Sequence, residues 1–424
     1  MDEILVWNND PAIPLTLPGT KTRVIASLEN LGCYGRFACA QQARNEVIFT
    51  QDDDVLVLNV PDLYRHFLAD PTRITHALDK EHFLNRRRHL HGNCHAALLG
   101  WGSFFMKDWI GVFDDLPEEI RKSPLFHREA DKFFTLLQEK HHHTIPGQLR
   151  HLEGRDTPGV ALWQDPQHRV FKALAVREAL RAVRLRKNPA ALVPWNIVVP
   201  TYNYAQYLPD TVRSILQNDA DYTLTIVDDA STDETPEVAL ELLREYPHLT
   251  YLRLDENRGM PGAVRNHGIK AHDSLFVMAV DADDKIGRNY LYEAQRMLED
   301  GADVANPDAI LFGNRNERWC VPEKVTLPML LQRNFVHTAA GFRRTHWTKV
   351  GGYDETMRAW QDYELWIRLA AAGARIRRIE GNHFYYRRHG HSITSEARII
   401  KSQLRSYIQK KHCSLYQQHK VPVS

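Results

Sequence analysis

Between Trp195 and Val280, four short apolar runs alternate with stretches of helical periodicity, and this alternation restricts the fold more than any other feature of the chain. Asn196 to Pro200 (NIVVP) reads as a strand. Behind it, Leu208, Val212, Ile215 and Leu216 fall at i, i+4, i+7 and i+8, on one face of a helix. Leu224 to Val227 repeats the strand, and Pro236 stands where the next helix can begin, with Val238, Leu242 and Leu243 facing inward. Thr250 to Leu254 leads into the Gly-rich turn Asn257 to Gly262 and a further helix, and Leu275 to Val280 stops at Asp281. Strands alternating with amphipathic helices build βαβ units and a parallel sheet. Such sheets take their ligands in the crevice beyond the carboxyl ends of the strands. Here those ends carry Thr201 to Asn203, Asp228 and Asp229, the Gly-rich turn, and Asp281, Asp283 and Asp284.

A chain of 424 residues is too long for one core, since single cores stop growing beyond about 250–300 residues. The first half supplies its own β-rich runs, Ile4 to Trp7 and Val47 to Thr50, the latter followed by Gln51, Asp52, Asp53 and Asp54, and reads as a second α/β domain. Gln167 to Lys187 reads as a basic helix, and the prolines of Arg186 to Pro194 mark a boundary. The expected division is residues 1–185, a linker over 186–194, and 195–424 ending in a helical tail. Lys plus Arg total 54 against 53 Asp plus Glu, so bulk charge gives no polyanion signal. Any nucleic-acid contact must be local; Arg86, Arg87, Arg88, His89 and His91 form the best candidate patch and read first as a solvated helix face. His141 to His143 reads as a solvated turn. Five scattered cysteines without a CxxC (Cys33, Cys39, Cys94, Cys320, Cys413) are unlike a disulfide scaffold or a zinc module and fit a reducing cytoplasm. No apolar run approaches the ~18 residues of a membrane span, so a soluble protein is expected.

Two or three carboxylates at one strand tip suit a hard divalent cation. Mg²⁺ or Mn²⁺ held by one or two carboxylates completes its shell with water and phosphate oxygens, which makes a nucleoside diphosphate the natural partner. Taken alone, DADD reads first as a solvated turn. It stands in an ordered series, however: PTYN (Pro200 to Asn203), VDDASTD (Val227 to Asp233), NRGMPGAVRNHG (Asn257 to Gly268), DADD (Asp281 to Asp284), GGYDE (Gly351 to Glu355), QDYELW (Gln361 to Trp366) and YRRHGHS (Tyr386 to Ser392). With these motifs the stretch from Trp195 to about Ser395 resembles the family-two inverting glycosyltransferases, which have the GT-A fold.

The resemblance implies a donor site. Pro200, Tyr202, Asn203 and Asp229 would lie against the nucleoside, Asp229 accepting a base N–H, with Asn257 and Gly259 in the adjoining turn. Arg265 would oppose the diphosphate, while Gly259, Gly262 and Gly268 allow a tight turn and close backbone approach. Asp281 would bridge nucleotide and metal, Asp281 and Asp283 would ligate Mn²⁺ or Mg²⁺, and His389 could add a nitrogen ligand, with His391 its competitor. Asp362 matches the catalytic base, which takes the acceptor hydroxyl proton as that oxygen attacks the anomeric carbon; a helix N-cap is its structural alternative. The family has Glu before this Asp, whereas this chain has Gln361. Trp366 has core spacing. No GxGxxG is present, which disfavours an NAD-dependent oxidoreductase.

In the first half, ILVWNNDPAIP (Ile4 to Pro14), GCYGRF (Gly32 to Phe37), FTQDDDVLV (Phe49 to Val57), GWGSFFMKDWI (Gly100 to Ile110) and HREADKFFTLL (His127 to Leu137) together resemble the exostosin-like retaining glycosyltransferases, also of GT-A fold. That resemblance implies Asp52, Asp53 and Asp54 around a metal and diphosphate, Arg36 near the nucleotide, and Glu129 or Asp131 facing the reacting centre. Where that family has an earlier βα unit, only three residues precede Ile4.

The sequence thus reads as α/β, two GT-A-like (Rossmann-like) nucleotide-sugar-binding domains in tandem. The expected activity is metal-dependent, inverting transfer from a nucleoside-diphosphate sugar, a UDP-sugar first, to a hydroxyl of a glycan or other acceptor. The alternatives are a bifunctional enzyme with a second, retaining transfer in the first domain, and a non-catalytic carbohydrate- or nucleotide-binding protein. Donor sugar and acceptor are not encoded in the motifs, because loops set them.

Overall fold

The structure, a computed structural model, describes residues 2–10, 12–78, 97, 99–139, 142–152, 165, 167–314, 316–389 and 400–422. The basic cluster at 86–91, His141 and His391 lie outside these residues. The chain divides into two compact units, Met1–Ala191 and Leu192–Ser424.

In the N-terminal unit, β1 (Ile4–Asn8) and β2 (Thr22–Ala26) pair in parallel as a sheet of their own. Helix α1 (Gly35–Gln41) precedes β3 (Val47–Thr50), and β4 (Val55–Val57) follows the three aspartates. Next come α2 (Val60–Ala69), β5 (Thr75–Leu78), β6 (Ser103–Met106), α3 (Glu118–Arg121), α4 (Pro124–Leu137), β7 (His143–Pro146), β8 (Leu149–His151) and α5 (His168–Lys187). Four strands form a mixed sheet in the order β3-β6-β5-β7, and β4 pairs with β8. Its described strands are mixed in sense, with parallel pairing between β1 and β2 and between β5 and β7. The core is aromatic: Phe37, Phe105, Phe113, Phe126, Phe133 and Phe134 are buried together between α4 and the sheet. The expected linker is not open chain over its length, since α5 continues through Lys187 and the next strand begins at Val193.

The C-terminal unit starts with the predicted alternation: β9 (Val193–Thr201), α6 (Leu208–Leu216), β10 (Tyr222–Asp228), α7 (Thr235–Glu245), β11 (Thr250–Arg253), α8 (Pro261–Ala271) and β12 (Ser274–Ala279). These four strands are parallel in the order β11-β10-β9-β12. Because β12 returns to the opposite side of β9, the strand order reverses there, and a crevice opens at the carboxyl ends of β9 and β12. The strands are buried on both faces, as helices on each side of a parallel sheet require.

The sheet then continues in mixed sense. In chain order follow β13 (Lys285–Ile286), α9 (Tyr290–Glu299), β14 (Val304–Gly313), β15 (Glu317–Trp319), β16 (Lys324–Val325), α10 (Leu327–Gln332), β17 (Gly341–Arg343), α11 (Arg344–Lys349), α12 (Gln361–Ala371) and β18 (Ile376–Arg388). The spatial order is β12-β17-β14-β18-β13, with β15 on β14 and β16 on β18. Two helices, α13 (Lys401–Lys411) and α14 (Cys413–Gln418), complete the unit. Trp366 lies wholly in the core against Phe342, as its spacing required.

Helix α8 lies unusually close to the sheet because of Gly268. A Cβ there would stand 2.5 Å from Val198 Cγ1 and 2.8 Å from Val227 Cγ2, both in strands buried on two faces. Gly268→Ala should therefore destabilise the protein by about 1–3 kcal/mol through overpacking. Chemical denaturation checks this; an unmoved midpoint would mean that α8 does not rest on β9 and β10 as closely as described.

Candidate active site

The acidic turn after β12 is fixed from three directions. On α6, Thr211 Oγ1 lies 2.7 Å from the carbonyl oxygens of both Ala282 and Asp284. From β18, Arg387 donates its Nε to the Asp283 carbonyl (2.7 Å) and its backbone N–H to Asp284 Oδ1 (2.8 Å). The Arg387 guanidinium in turn lies over the rings of Tyr207 and Phe312, 4.6 and 4.5 Å from their centroids. Asp284 is wholly buried and serves this anchoring. Burial, then the charges of Asp283 and Asp281, hold its carboxyl well above the usual range.

Asp281 and Asp283 remain for chemistry. Asp281 accepts from Arg265 Nη2 at 2.5 Å, and Asp283 Oδ2 lies 2.8 Å from His389 Nε2. His389 packs against Tyr204 and Tyr207. Burial and the neighbouring Asp281 charge raise the Asp283 pKa, with the His389 contact opposing them. Burial, followed by the Asp283 and Asp281 charges, also pushes up the Tyr204 hydroxyl, which keeps it a neutral donor beside the acids.

Arg265 is the centre of this constellation. Its position follows from α8, where Pro261 starts the helix and Gly262 lets it approach the Asp354 carbonyl; a Cβ there would meet that oxygen at 2.6 Å. The side chain is 3% exposed and lies beneath the Tyr353 ring, 5.6 Å from its centroid. Burial works against its charge, but Asp281, Tyr353 and Asp362 more than offset this and hold it protonated. Its Nε and Nη1 have no hydrogen-bond partner among the described residues, although both are buried. Buried charged donors without acceptors are costly, so an anion that reached these two nitrogens would relieve that cost.

Asp362 also acts on Arg265 through its charge. It does not cap α12: Trp360 takes the N-cap in the left-handed conformation (φ 60°), and Asp362 is in the first turn. Thr338 Oγ1 donates to its Oδ2 at 3.3 Å. Burial raises its pKa, Arg265 opposes, and Asp281 adds to the rise. A carboxylate biased toward accepting a proton, beside a fixed cation, has the character of a general base. Gln361 is buried, and its Oε1 has no partner among the described residues.

The expected nucleoside side is also assembled. Tyr202 is 41% exposed at the mouth of the crevice, and Pro200 is half-buried in β9. Asp229 accepts the backbone N–H groups of Arg258 (2.8 Å) and Gly259 (3.1 Å), so it positions the turn holding the exposed Asn257, and a base N–H would be an additional bond. Gly259 needs its φ of +58° for that turn. Asn203 is committed to structure: its φ is 58° and its Oδ1 accepts from the amides of Thr232 and Asp233.

The family profile described as "Glycosyl transferase family 2" matches residues 196–353. The match is confined to those residues, fewer than half of the chain. Among curated proteins, the chain is 31% identical over 112 residues to poly(ribitol-phosphate) beta-N-acetylglucosaminyltransferase TarS of Staphylococcus aureus, covering 26% of this chain and 19% of that one. It is 28% identical over 224 residues to succinoglycan biosynthesis protein ExoU of Rhizobium meliloti, covering 48% and 65% of the two chains. It is also 28% identical over 192 residues to a PGL/p-HBAD biosynthesis glycosyltransferase of Mycobacterium bovis, covering 43% and 72%. The chain thus spans about a fifth of TarS, the first of these relatives. The solved S. aureus TarS 1-349 in complex with UDP-GlcNAc aligns at a TM-score of 0.43 and 24% identity over 48% of this chain and 61% of that one, too distant a likeness to carry an argument.

Of the residues read from the motifs in the C-terminal unit, Arg265 bonds Asp281, His389 bonds Asp283, and Asp362 acts on Arg265 through its charge. Among the described residues no three His, Cys, Asp or Glu side chains gather as a metal site, so a cation would find Asp281, Asp283 and His389 only as separate pairs. In the N-terminal unit, Arg36 bonds Asp52 Oδ1 at 2.6 Å and lies 3.2 Å from Asp131 Oδ1. Asp53 is exposed, Asp54 half-buried, and Glu129 buried beside Arg128 and His168.

Sequence reading missed Arg387, whose signal was its place in the YRRHGHS run, and Glu364 in QDYELW. Glu364 is wholly buried and bonded by Arg368, Lys411 and His412, at 2.6 to 3.0 Å. Burial disfavours its charge, but these partners lower its pKa from the ordinary 4.5 to about 2. Since the folded value lies below the unfolded one, this carboxylate stabilises fully above pH 4.5, and its contribution is lost as pH falls from there toward 2. The unfolding midpoint should therefore fall more steeply over that window in wild type than in Glu364→Gln, as thermal unfolding at stepped pH measures; parallel curves would remove Glu364 from the acid response.

Proposed function

We propose that the C-terminal unit transfers a sugar from a nucleoside-diphosphate sugar, a UDP-sugar first, to an acceptor hydroxyl with inversion at the anomeric carbon. The observation that carries this reading is Arg265, buried between Asp281 and Asp362 with two donors unsatisfied at the carboxyl ends of β9 and β12. The family 2 match and the glycosyltransferase names of the relatives support the reaction class.

The nucleoside would enter over Tyr202, against Pro200 and the Asn257–Gly259 turn held by Asp229. The diphosphate would satisfy Arg265, whose fixed charge opposes the charge gathering on the leaving group. Asp362 would accept the proton of the acceptor hydroxyl while that oxygen attacks the carbon face opposite the diphosphate, and one displacement of this kind inverts the centre.

The donor set fits a divalent cation in kind. Burial and the Asp281 charge raise the proton affinity of Asp283 at the turn, and Mn²⁺ or Mg²⁺ needs only one or two carboxylates when diphosphate and water complete the shell. Asp281, Asp283 and His389 would hold it, and bound there it would neutralise charge on the departing diphosphate. The acceptor is a glycan or other hydroxyl-bearing molecule. We place the reaction in the cytoplasm, a reading supported by the free thiols of Cys33, Cys39, Cys320 and Cys413; no helix among the described residues is long and apolar enough to cross a membrane. A second, retaining transfer in the N-terminal unit is the alternative that the Arg36, Asp52 and Asp131 cluster favours. A purely binding role is disfavoured by the placement of Asp362.

Asp362→Asn should lower kcat by about a hundredfold to ten-thousandfold while UDP still binds. Loss under about tenfold at saturating acceptor, measured by UDP release, would return Asp362 to a structural role. Asp283→Asn should weaken Mn²⁺-dependent UDP binding in calorimetry without lowering the unfolding midpoint, since the turn is held by Asp284, Thr211 and Arg387. Equal affinity in wild type and variant would remove Asp283 from the metal.

A further inference from the structure

The loop before α12 sets Tyr353 over Arg265 and holds it there by its backbone. Asn266, the neighbour of Arg265 on α8, accepts the Tyr353 backbone N–H at its Oδ1 (2.9 Å) and donates its Nδ2 to the Tyr353 carbonyl (2.9 Å). Asn266 is itself fixed: Trp347 Nε1 donates to the same Oδ1 at 3.2 Å, and Glu355 Oε1 accepts from Nδ2 at 2.8 Å. Gly352 permits this approach, since a Cβ there would stand 2.8 Å from Asn266 Oδ1. Two hydrogen bonds therefore tie Tyr353 to the residue next to Arg265, and the guanidinium lies 5.6 Å from the centroid of its ring.

The ring so placed carries a hydroxyl with nothing to bond. Tyr353 is 2% exposed, and its Oη is buried without a hydrogen-bond partner among the described residues. Taking a hydroxyl out of water without a partner costs stability, and phenylalanine would pack the same ring without that cost. Asp362 does not answer it, although its charge acts there; the side-chain hydroxyl that bonds Asp362 is that of Thr338. Burial raises the Tyr353 pKa, Arg265 opposes, and Asp362 and Asp281 add to the rise, so the group stays a neutral O–H donor.

Arg265 Nε and Nη1 are in the same condition, buried and without partners among the described residues. An arginine and a phenol held together, both lacking acceptors, are answered by one ligand rich in acceptor oxygens. A diphosphate presents several, all charged, and hydrogen bonds to charged oxygens are the strong ones. Donors fixed in advance by the fold also need no rearrangement when charge gathers on the leaving group.

We propose that the Tyr353 hydroxyl binds the diphosphate of the donor, giving a hydrogen bond to one of its oxygens alongside Arg265. The ligand class rests on the function proposed for this unit; the unpaired hydroxyl and its double tie to Asn266 do not.

Calorimetry of the full chain with UDP in the presence of Mn²⁺, and with uridine as a competitor of UDP, compares wild type, Tyr353→Phe and Arg265→Gln; GDP and guanosine repeat the series. Tyr353→Phe should weaken UDP by about tenfold to a hundredfold, the range for one hydrogen bond to a charged group, and leave the uridine affinity in place. Its melting temperature should hold or rise, because an unpaired buried hydroxyl has been removed. A lowered melting temperature would show that the hydroxyl serves the fold and would overturn the proposal. Equal weakening of UDP and uridine would overturn it as well, since the diphosphate would not be what the hydroxyl meets. Unchanged UDP affinity in Tyr353→Phe with a loss in Arg265→Gln would overturn it and leave the proposed function standing. A loss in Tyr353→Phe alone would support the hydroxyl and remove Arg265 from the diphosphate. No binding of either nucleotide to wild type would overturn both.

Discussion

The buried guanidinium of Arg265 is the constraint around which the C-terminal unit is arranged. A permanent cation can be kept at 3% exposure only if its charge is answered, and the chain answers it from two distant stretches, Asp281 after β12 and Asp362 in α12. That requirement explains why α8 must sit close to the sheet, and hence the small residues at 262 and 268. It also explains why the acidic turn is held so firmly by Thr211 and Arg387. Two donors remain unanswered, which is the local cost one expects where a protein is shaped for a partner outside itself.

How much of this was legible in the chain depends on range. The β9 to β12 alternation could be read because each strand is a short apolar run and each helix repeats its apolar residues at helical spacing; Thr250–Arg253 ends one residue before the reading, and Ser274–Ala279 is shifted from it by one residue. The mixed half of the sheet was not legible, since β13, β16 and β17 are only two or three residues long and are defined by partners far away. The same holds for side chains. Asp281, Asp283 and Asp362 stand in motifs, whereas Arg387 acts through a carbonyl more than a hundred positions back, a contact no local pattern announces. Asn203 shows the opposite error: a motif residue whose side chain is spent on the turn of Thr232 and Asp233.

The N-terminal unit makes the point again in its strands. Four-residue strands such as β3 and β5 carry too little periodicity to state their direction, and the described strands are mixed in sense. What the run did carry was chemistry, because an arginine and an aspartate sixteen residues apart meet in space in both units.

The closing helices have a consequence for how the molecule comes into being. Lys411 and His412 reach the wholly buried Glu364, and Lys411 and Tyr407 reach Asp354, so the helix carrying Asp362 and the loop before it receive part of their counter-charge from a later stretch of this unit. During synthesis, Glu364 will therefore have only Arg368 of its own helix to answer it until α13 has left the ribosome. The sheet can form earlier, but the wall bearing Asp362 cannot settle before α13 docks.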